Sequence, residues 1–120
     1  TESEMAEALR FRLGQERLHV AFNGLDLELE SRAESAGESA PLPFTLNVTN
    51  ALFGQVGYQF LDAFLDTLAE NYGAGMRLMD FIQATEESRL AINTWVSKQT
   101  NERIKDLIPQ GIITAATRLV

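Results

Sequence analysis

Residues 92–109, INTWVSKQTNERIKDLIP, decide how the rest of this chain is read. Ile92, Trp95 and Val96 stand three and four residues apart, which places them on one face of a helix. Just upstream, Thr85 precedes Glu86 and Glu87, an N-cap residue followed by acids in the first turn. The spacing therefore predicts a helix from Thr85 through about Gln99. Beyond it, Ile104, Leu107 and Ile108 are expected to continue the apolar contacts until Pro109 closes the stretch. TRLV (117–120) has the composition of a strand but not its length.

Working outward from this stretch, strands and helices alternate. MRLMDFI (76–82) is a short apolar strand, and YQFLDAFLDTLAENYG (58–73) is helical. That helix puts Leu61, Phe64, Leu65, Leu68 and Tyr72 on one face, with Gly73 as its stop. FTLNVTNALFG (44–54) alternates, Phe44, Leu46 and Val48 against Thr45, Asn47 and Thr49, so a strand with one buried face is expected. SRAESAGESAPLP (31–43) is small, polar and closed by proline, the composition of an exposed loop. Before it, Leu18, Phe22, Leu25 and Leu29 form the stripe of a core-facing helix over 15–32. Thr1 and Glu4 make a capping-box pattern for a first helix with Met5, Ala8 and Leu9 on one face. Gly14 breaks it. No internal repeat is present.

Composition removes several function classes. The 120 residues are 45% hydrophobic and 22% charged, with a net charge of −7. A chain of this length suits one domain that buries roughly two-thirds of its unfolded surface. The acidic balance argues against a nucleic-acid backbone or an anionic membrane as partner, since phosphates need clustered Lys and Arg. With no cysteine there is no disulfide, zinc–thiolate site or thiol nucleophile. No apolar run approaches the roughly 18 residues of a membrane span, and no signal-like start is visible. No nucleophile pair, metal cluster or phosphate loop can be assembled, so the chain is read as a non-enzyme with no cofactor, no metal and no catalytic residue. Two strands and a stub would leave both outer sheet edges unpaired. The pattern is thus expected to be a piece of a larger α+β fold, able to self-associate through its strand edges.

NALFGQVGYQFLDAFLDTLAENYGAGMRLMDF (50–81), followed by INTWVSKQTNERIKDLIP and TRLV, resembles the serpin family. The resemblance covers essentially the whole chain. Its most specific part is the series Ile92, Asn93, Trp95, Val96, Thr100, Asn101, Ile104 and Leu107, with Asn50, Ala51, Leu52 and Phe53 upstream. Glu102 and Arg103 depart from the Gly and Lys common in the family, which puts the local turn geometry in question.

The resemblance implies helix C over 1–13, helix D over 15–32, the second strand of sheet A over 44–53 and helix E over 58–72. It further implies the edge strand of sheet A over 76–82, helix F over 85–100 and the first residues of the central strand at 117–120. All of 1–120 would belong to a single serpin domain, an internal fragment lacking the reactive-centre loop. The family typically traps a serine protease, in some cases a cysteine protease, as an acyl-enzyme while the loop inserts into sheet A. The fragment itself is not expected to inhibit. A non-inhibitory serpin, a carrier or chaperone, is the alternative, distinguished by the hinge of that loop.

Asn50, Phe53, Ile92, Asn93, Trp95, Val96, Thr100, Ile104 and Leu107 are the resulting candidates for a structural gate under helix F. Trp95 is read as core packing, and Asn50 and Asn93 as residues that satisfy backbone groups. His19, the sole histidine, is read as structural or surface. Asp62, Asp66 and Glu70 are read as a solvated face rather than a cation site. Asn47-Val48-Thr49 matches a glycosylation sequon but falls in the expected strand. In helix D, Glu16, Asp26, Glu28 and Glu30 outweigh Arg17 and Arg32, so heparin binding is not expected. The compartment stays open, with a lean to the extracellular side.

Overall fold

The computed structural model describes residues 1–37, 48–73 and 75–120. In chain order these form α1 (Glu2–Ala8), α2 (Gln15–Gly37), β1 (Leu52–Gln55), α3 (Asp62–Tyr72), β2 (Met76–Met79) and α4 (Thr85–Gln99). The described residues group into two compact units. One gathers α1, α2 and residues Glu70–Tyr72; the other gathers the remaining described residues.

In the first unit the capping box is present. The Thr1 hydroxyl accepts from the Glu4 amide, and the Glu4 carboxylate returns to the Thr1 nitrogen. Helix α1 ends earlier than the expected residue 13, because Arg10 turns into the left-handed region at φ 58°. Helix α2 runs further than expected, through Gly37, so residues 31–37 are helical rather than loop. Within its stripe Leu18 and Leu29 are half-buried, whereas Leu25 is 54% exposed. The phenol oxygen of Tyr72 lies 2.8 Å from His19 Nδ1, closing one end of an apolar cleft between α1 and α2.

The second unit holds every buried side chain among the described residues. β1 pairs in parallel with β2, Leu52 opposite Met76 through Gln55 opposite Met79. On its other edge β1 pairs antiparallel with residues 118–120. Phe53 and Val120 exchange both backbone bonds at 2.9 Å, and the Gln55 amide donates to the Arg118 carbonyl at 2.9 Å. The segment TRLV, expected to begin a further strand of the same sheet, thus lies beside β1. The expected strand over 44–53 is corrected. Residues 44–47 lie outside the described residues, 48–51 are not in a strand, Val48 is exposed, and pairing extends to Gln55. The register explains the shift. Residues before Leu52 would need partners before Met76, where the chain is still turning out of α3 through Gly73 at φ 55°.

Two further boundaries differ. Helix α3 begins at Asp62 rather than 58, with Leu61 at its N-cap in extended conformation. β2 stops at Met79, because the Asp80 carboxylate accepts the Ile82 and Gln83 amides at 3.2 and 3.0 Å and folds the chain into a turn. That turn moves the cap of α4 to Ala84. Thr85, the expected cap, is the first helical residue, and its hydroxyl donates to the Phe81 carbonyl at 2.6 Å.

Candidate functional site

Six of the nine residues singled out in the sequence, Phe53, Ile92, Asn93, Trp95, Val96 and Thr100, lie where α4 packs on β1 or where the chain leaves α4. Alternation in β1 directs Phe53 and Gln55 to the α4 side and Gly54 to the other. Phe53 meets Trp95 edge to face, with ring centroids 5.6 Å apart at 76°, the arrangement that aromatic quadrupoles favour. Arg77 of β2 sets its guanidinium carbon 5.3 Å from the same indole centroid. Trp95 is therefore gripped by one residue from each strand. Ile92, 2% exposed, and Val96 complete the core with Phe53, Phe81 and Ile113. The indole N–H of Trp95 is buried and has no acceptor among the described residues.

Asn93 satisfies backbone groups, as expected. Its Oδ1 accepts the Ile108 amide and its Nδ2 donates to the Ile108 carbonyl, both at 2.9 Å. The side-chain amide thus pairs with one residue as a neighbouring strand would. Thr100 ends α4, donating its hydroxyl to the Val96 carbonyl at 2.9 Å and accepting the Ile104 amide at 3.1 Å. The turn that follows puts Asn101 at φ 51° and Glu102 at φ 60°. The departure from the family's glycine falls on a left-handed residue.

Two candidates are placed differently. Ile104 is 44% and Leu107 56% exposed, so neither continues the apolar contacts; only Ile108 of that series packs against the core. Asn50 is exposed on the approach to β1. For Ile104 and Leu107 the expectation of packing came from apolar spacing, which records a face but not the partner for it.

Four contributors were missed. Gln55 is buried, accepts the Phe81 amide on Oε1 at 2.7 Å, and donates from Nε2 to the Val56 carbonyl at 3.0 Å and to Asp80 Oδ1 at 3.3 Å. A polar residue two positions after Phe53, on the same strand face, was the available signal. Hydrogen bonds from Gln83, Gln55 and Ile82 hold the Asp80 carboxyl below its ordinary value. Arg89 lies one turn before Asn93 and reaches the same Ile108 carbonyl at 2.7 Å. Its hydrogen bond to Glu86 lowers that carboxyl and raises the guanidinium. Ile113, the fourth, is buried in the core.

Away from this region, His19 and its hydrogen-bonded partner Tyr72 border a cleft of the first unit. The cleft is about 340 Å³ and apolar, lined by Met5, Leu9, Phe11, Leu18 and Phe22 among others. Asp62, Asp66 and Glu70 are all exposed. Among the described residues no His, Asp and Glu side chains gather as a metal site, and no helix is long and apolar enough to cross a membrane. Asn47 of the sequon lies outside the described residues.

The chain belongs to the serpin family: the model of that family, described as serpin (serine protease inhibitor), matches residues 1–120. It is 36% identical over its whole length to leukocyte elastase inhibitor of Sus scrofa and 39% identical to Serpin B9 of Homo sapiens. It spans only 29% and 30% of those relatives' lengths. An Arabidopsis serpin solved in its native stressed conformation superposes with a TM-score of 0.78 over 99% of this chain and 29% of that one. At 22% identity this likeness concerns the fold, an α+β serpin portion.

Proposed function

We propose that these residues serve as the helix-F and sheet-A portion of a serpin that inhibits a serine-type endopeptidase. The protease is trapped as an acyl-enzyme while the cleaved reactive loop inserts into sheet A. The observation that carries this reading is the pairing of β1, parallel to β2 on one edge and antiparallel to 118–120 on the other. The far edge of 118–120 has no ladder partner among the described residues. A strand added there gains main-chain hydrogen bonds, and serpin loop insertion is itself a recognised case of such strand addition. Similarity to a protein named leukocyte elastase inhibitor favours the inhibitory reading over a carrier.

In this reading the bond attacked by the protease lies outside residues 1–120, so the chain alone does not inhibit. Phe53, Ile92, Trp95 and Val96 form the packed floor of the gate, and Asn93 and Thr100 fix its exit. Mixing the full-length protein with elastase-type serine proteases, and separately with cysteine proteases, tests the proposal. The expected product is an SDS-stable complex with a serine protease. Cleavage of the protein with no stable complex would overturn inhibition and favour the carrier reading.

A further inference from the structure

The chain leaving α4 is fastened at one residue by three side-chain hydrogen bonds. Asn93 takes both main-chain groups of Ile108, and Arg89 Nη1 donates a third bond to the same carbonyl at 2.7 Å. The Arg89 side chain is only 11% exposed. Its Nε and Nη2 are held by the two carboxylate oxygens of Glu86 at 3.0 and 2.7 Å, so the guanidinium is aimed before it meets the carbonyl. Pro109 follows at once and supplies no N–H of its own. Further along, Ile113 is buried, and Thr114 and Thr117 close a turn that delivers the chain to Arg118 and the ladder with β1.

The Arg89 bond is surplus to satisfying the backbone. A carbonyl oxygen offers two lone pairs, and Asn93 already fills one of them. Losing Arg89 therefore leaves no orphaned group at Ile108. It removes a charge-assisted bond that holds a crossing segment in place. Such a bond can be tuned separately from folding.

We infer that Arg89, aimed by Glu86, is a latch that fastens the α4 exit at Ile108 and thereby restrains residues 118–120 on β1. The fastening stands on geometry alone. Its consequence for protease trapping rests on the inhibitory reading above, because the restrained strand is the one beside which the loop would insert. Arg89 is a positioning residue in this scheme.

Amide hydrogen exchange in the full-length protein, without protease, tests the latch directly. In Arg89→Gln the amide of Ile108 and the ladder amides of Phe53, Gln55 and Val120 should exchange roughly tenfold faster, the factor carried by one lost hydrogen bond to a charged group. Amides in α1 and α2 should be unmoved. Arg89→Lys keeps the charge but loses the fork, so it should fall between wild type and Arg89→Gln. Glu86→Gln, which keeps the guanidinium but weakens its aim, should give a smaller acceleration and serves if Arg89→Gln fails to fold. Unchanged exchange at Ile108 in both variants overturns the latch. Faster exchange at Ile108 with unchanged Phe53, Gln55 and Val120 overturns the restraint on the strand. Protease complex formation is a separate arm, so failure of inhibition by wild type would sink the function proposed above and leave the exchange result to judge the latch.

Discussion

Helices α2 and α4 carry the same kind of apolar stripe and meet different fates. α2 is the longer, 23 residues against 15, yet its Leu25 is more than half exposed while Ile92 of α4 is almost fully covered. Intrinsic helicity does not separate them. The difference is that α4 finds Phe53, Phe81 and Ile113 within its own unit, whereas among the described residues the α2 stripe meets α1, Phe11 and the His19–Tyr72 pair. Burial of one Ile or Leu stabilises by about 1.5–3 kcal/mol, so the second unit holds most of the apolar stabilisation.

Paired truncations can break this contrast. Ile92→Ala should cost about 3 kcal/mol in urea unfolding, from lost transfer energy and the cavity left behind. Leu25→Ala should cost no more than about 0.5 kcal/mol, the ordinary range for an exposed site. If the two cost the same, the α2 stripe is covered as well and the contrast falls. Asn93→Ala should come next, at about 2 kcal/mol, because two bonds are lost and the Ile108 amide is left without its acceptor.

The contrast itself was not legible in the sequence, where the α2 stripe was expected to face a core just as that of α4 does; what could be read were local features. The Thr1–Glu4 box, the Gly73 stop and the Ile92–Val96 stripe each depend on neighbours within four residues. Residues whose role depends on distant partners were hidden. Nothing near Thr85 says that Asp80 will fold the preceding turn and take over the start of α4. Nothing near Arg89 says that a carbonyl 19 residues on will lie beneath it. β1 was misplaced because alternation fixes faces, whereas the end of pairing is fixed by where β2 begins.

Two substitutions sharpen the account of the second unit on a smaller scale. A Cβ at Gly54 would stand 2.5 Å from Met76 Sδ and 2.7 Å from the Phe60 ring. Gly54→Ala should therefore cost about 1–2 kcal/mol by overpacking, even though no buried group is deleted. A neutral result would mean that Met76 and Phe60 move aside freely. Glu102→Gly should act in the opposite direction. A non-glycine residue in the left-handed region costs roughly 1–2 kcal/mol, partly offset by the greater freedom of unfolded glycine. A gain of about 0.5–1 kcal/mol in unfolding free energy is expected; no gain would show that the Glu102 side chain compensates for its backbone.

The smallest expected effect is a pH dependence that belongs to one unit only. The Asp80 carboxyl lies below its ordinary value in the folded chain because the Gln83 amide, Gln55 and the Ile82 amide donate to it. A depressed folded value means that its stabilisation is complete above the unfolded value of about 4 and disappears as pH falls through the folded one. Trp95 is the sole tryptophan and packs against Phe53, so its fluorescence reports unfolding of the second unit. Asp80→Asn should flatten the acid limb of that signal while leaving the neutral-pH spectrum unchanged. Glu4, in the capping box with Thr1, lies in the first unit, so Glu4→Gln should leave the Trp95 transition where it was. If Glu4→Gln shifts the Trp95 signal as far as Asp80→Asn does, the two units unfold as one, and the contrast between α2 and α4 is one of burial without independence.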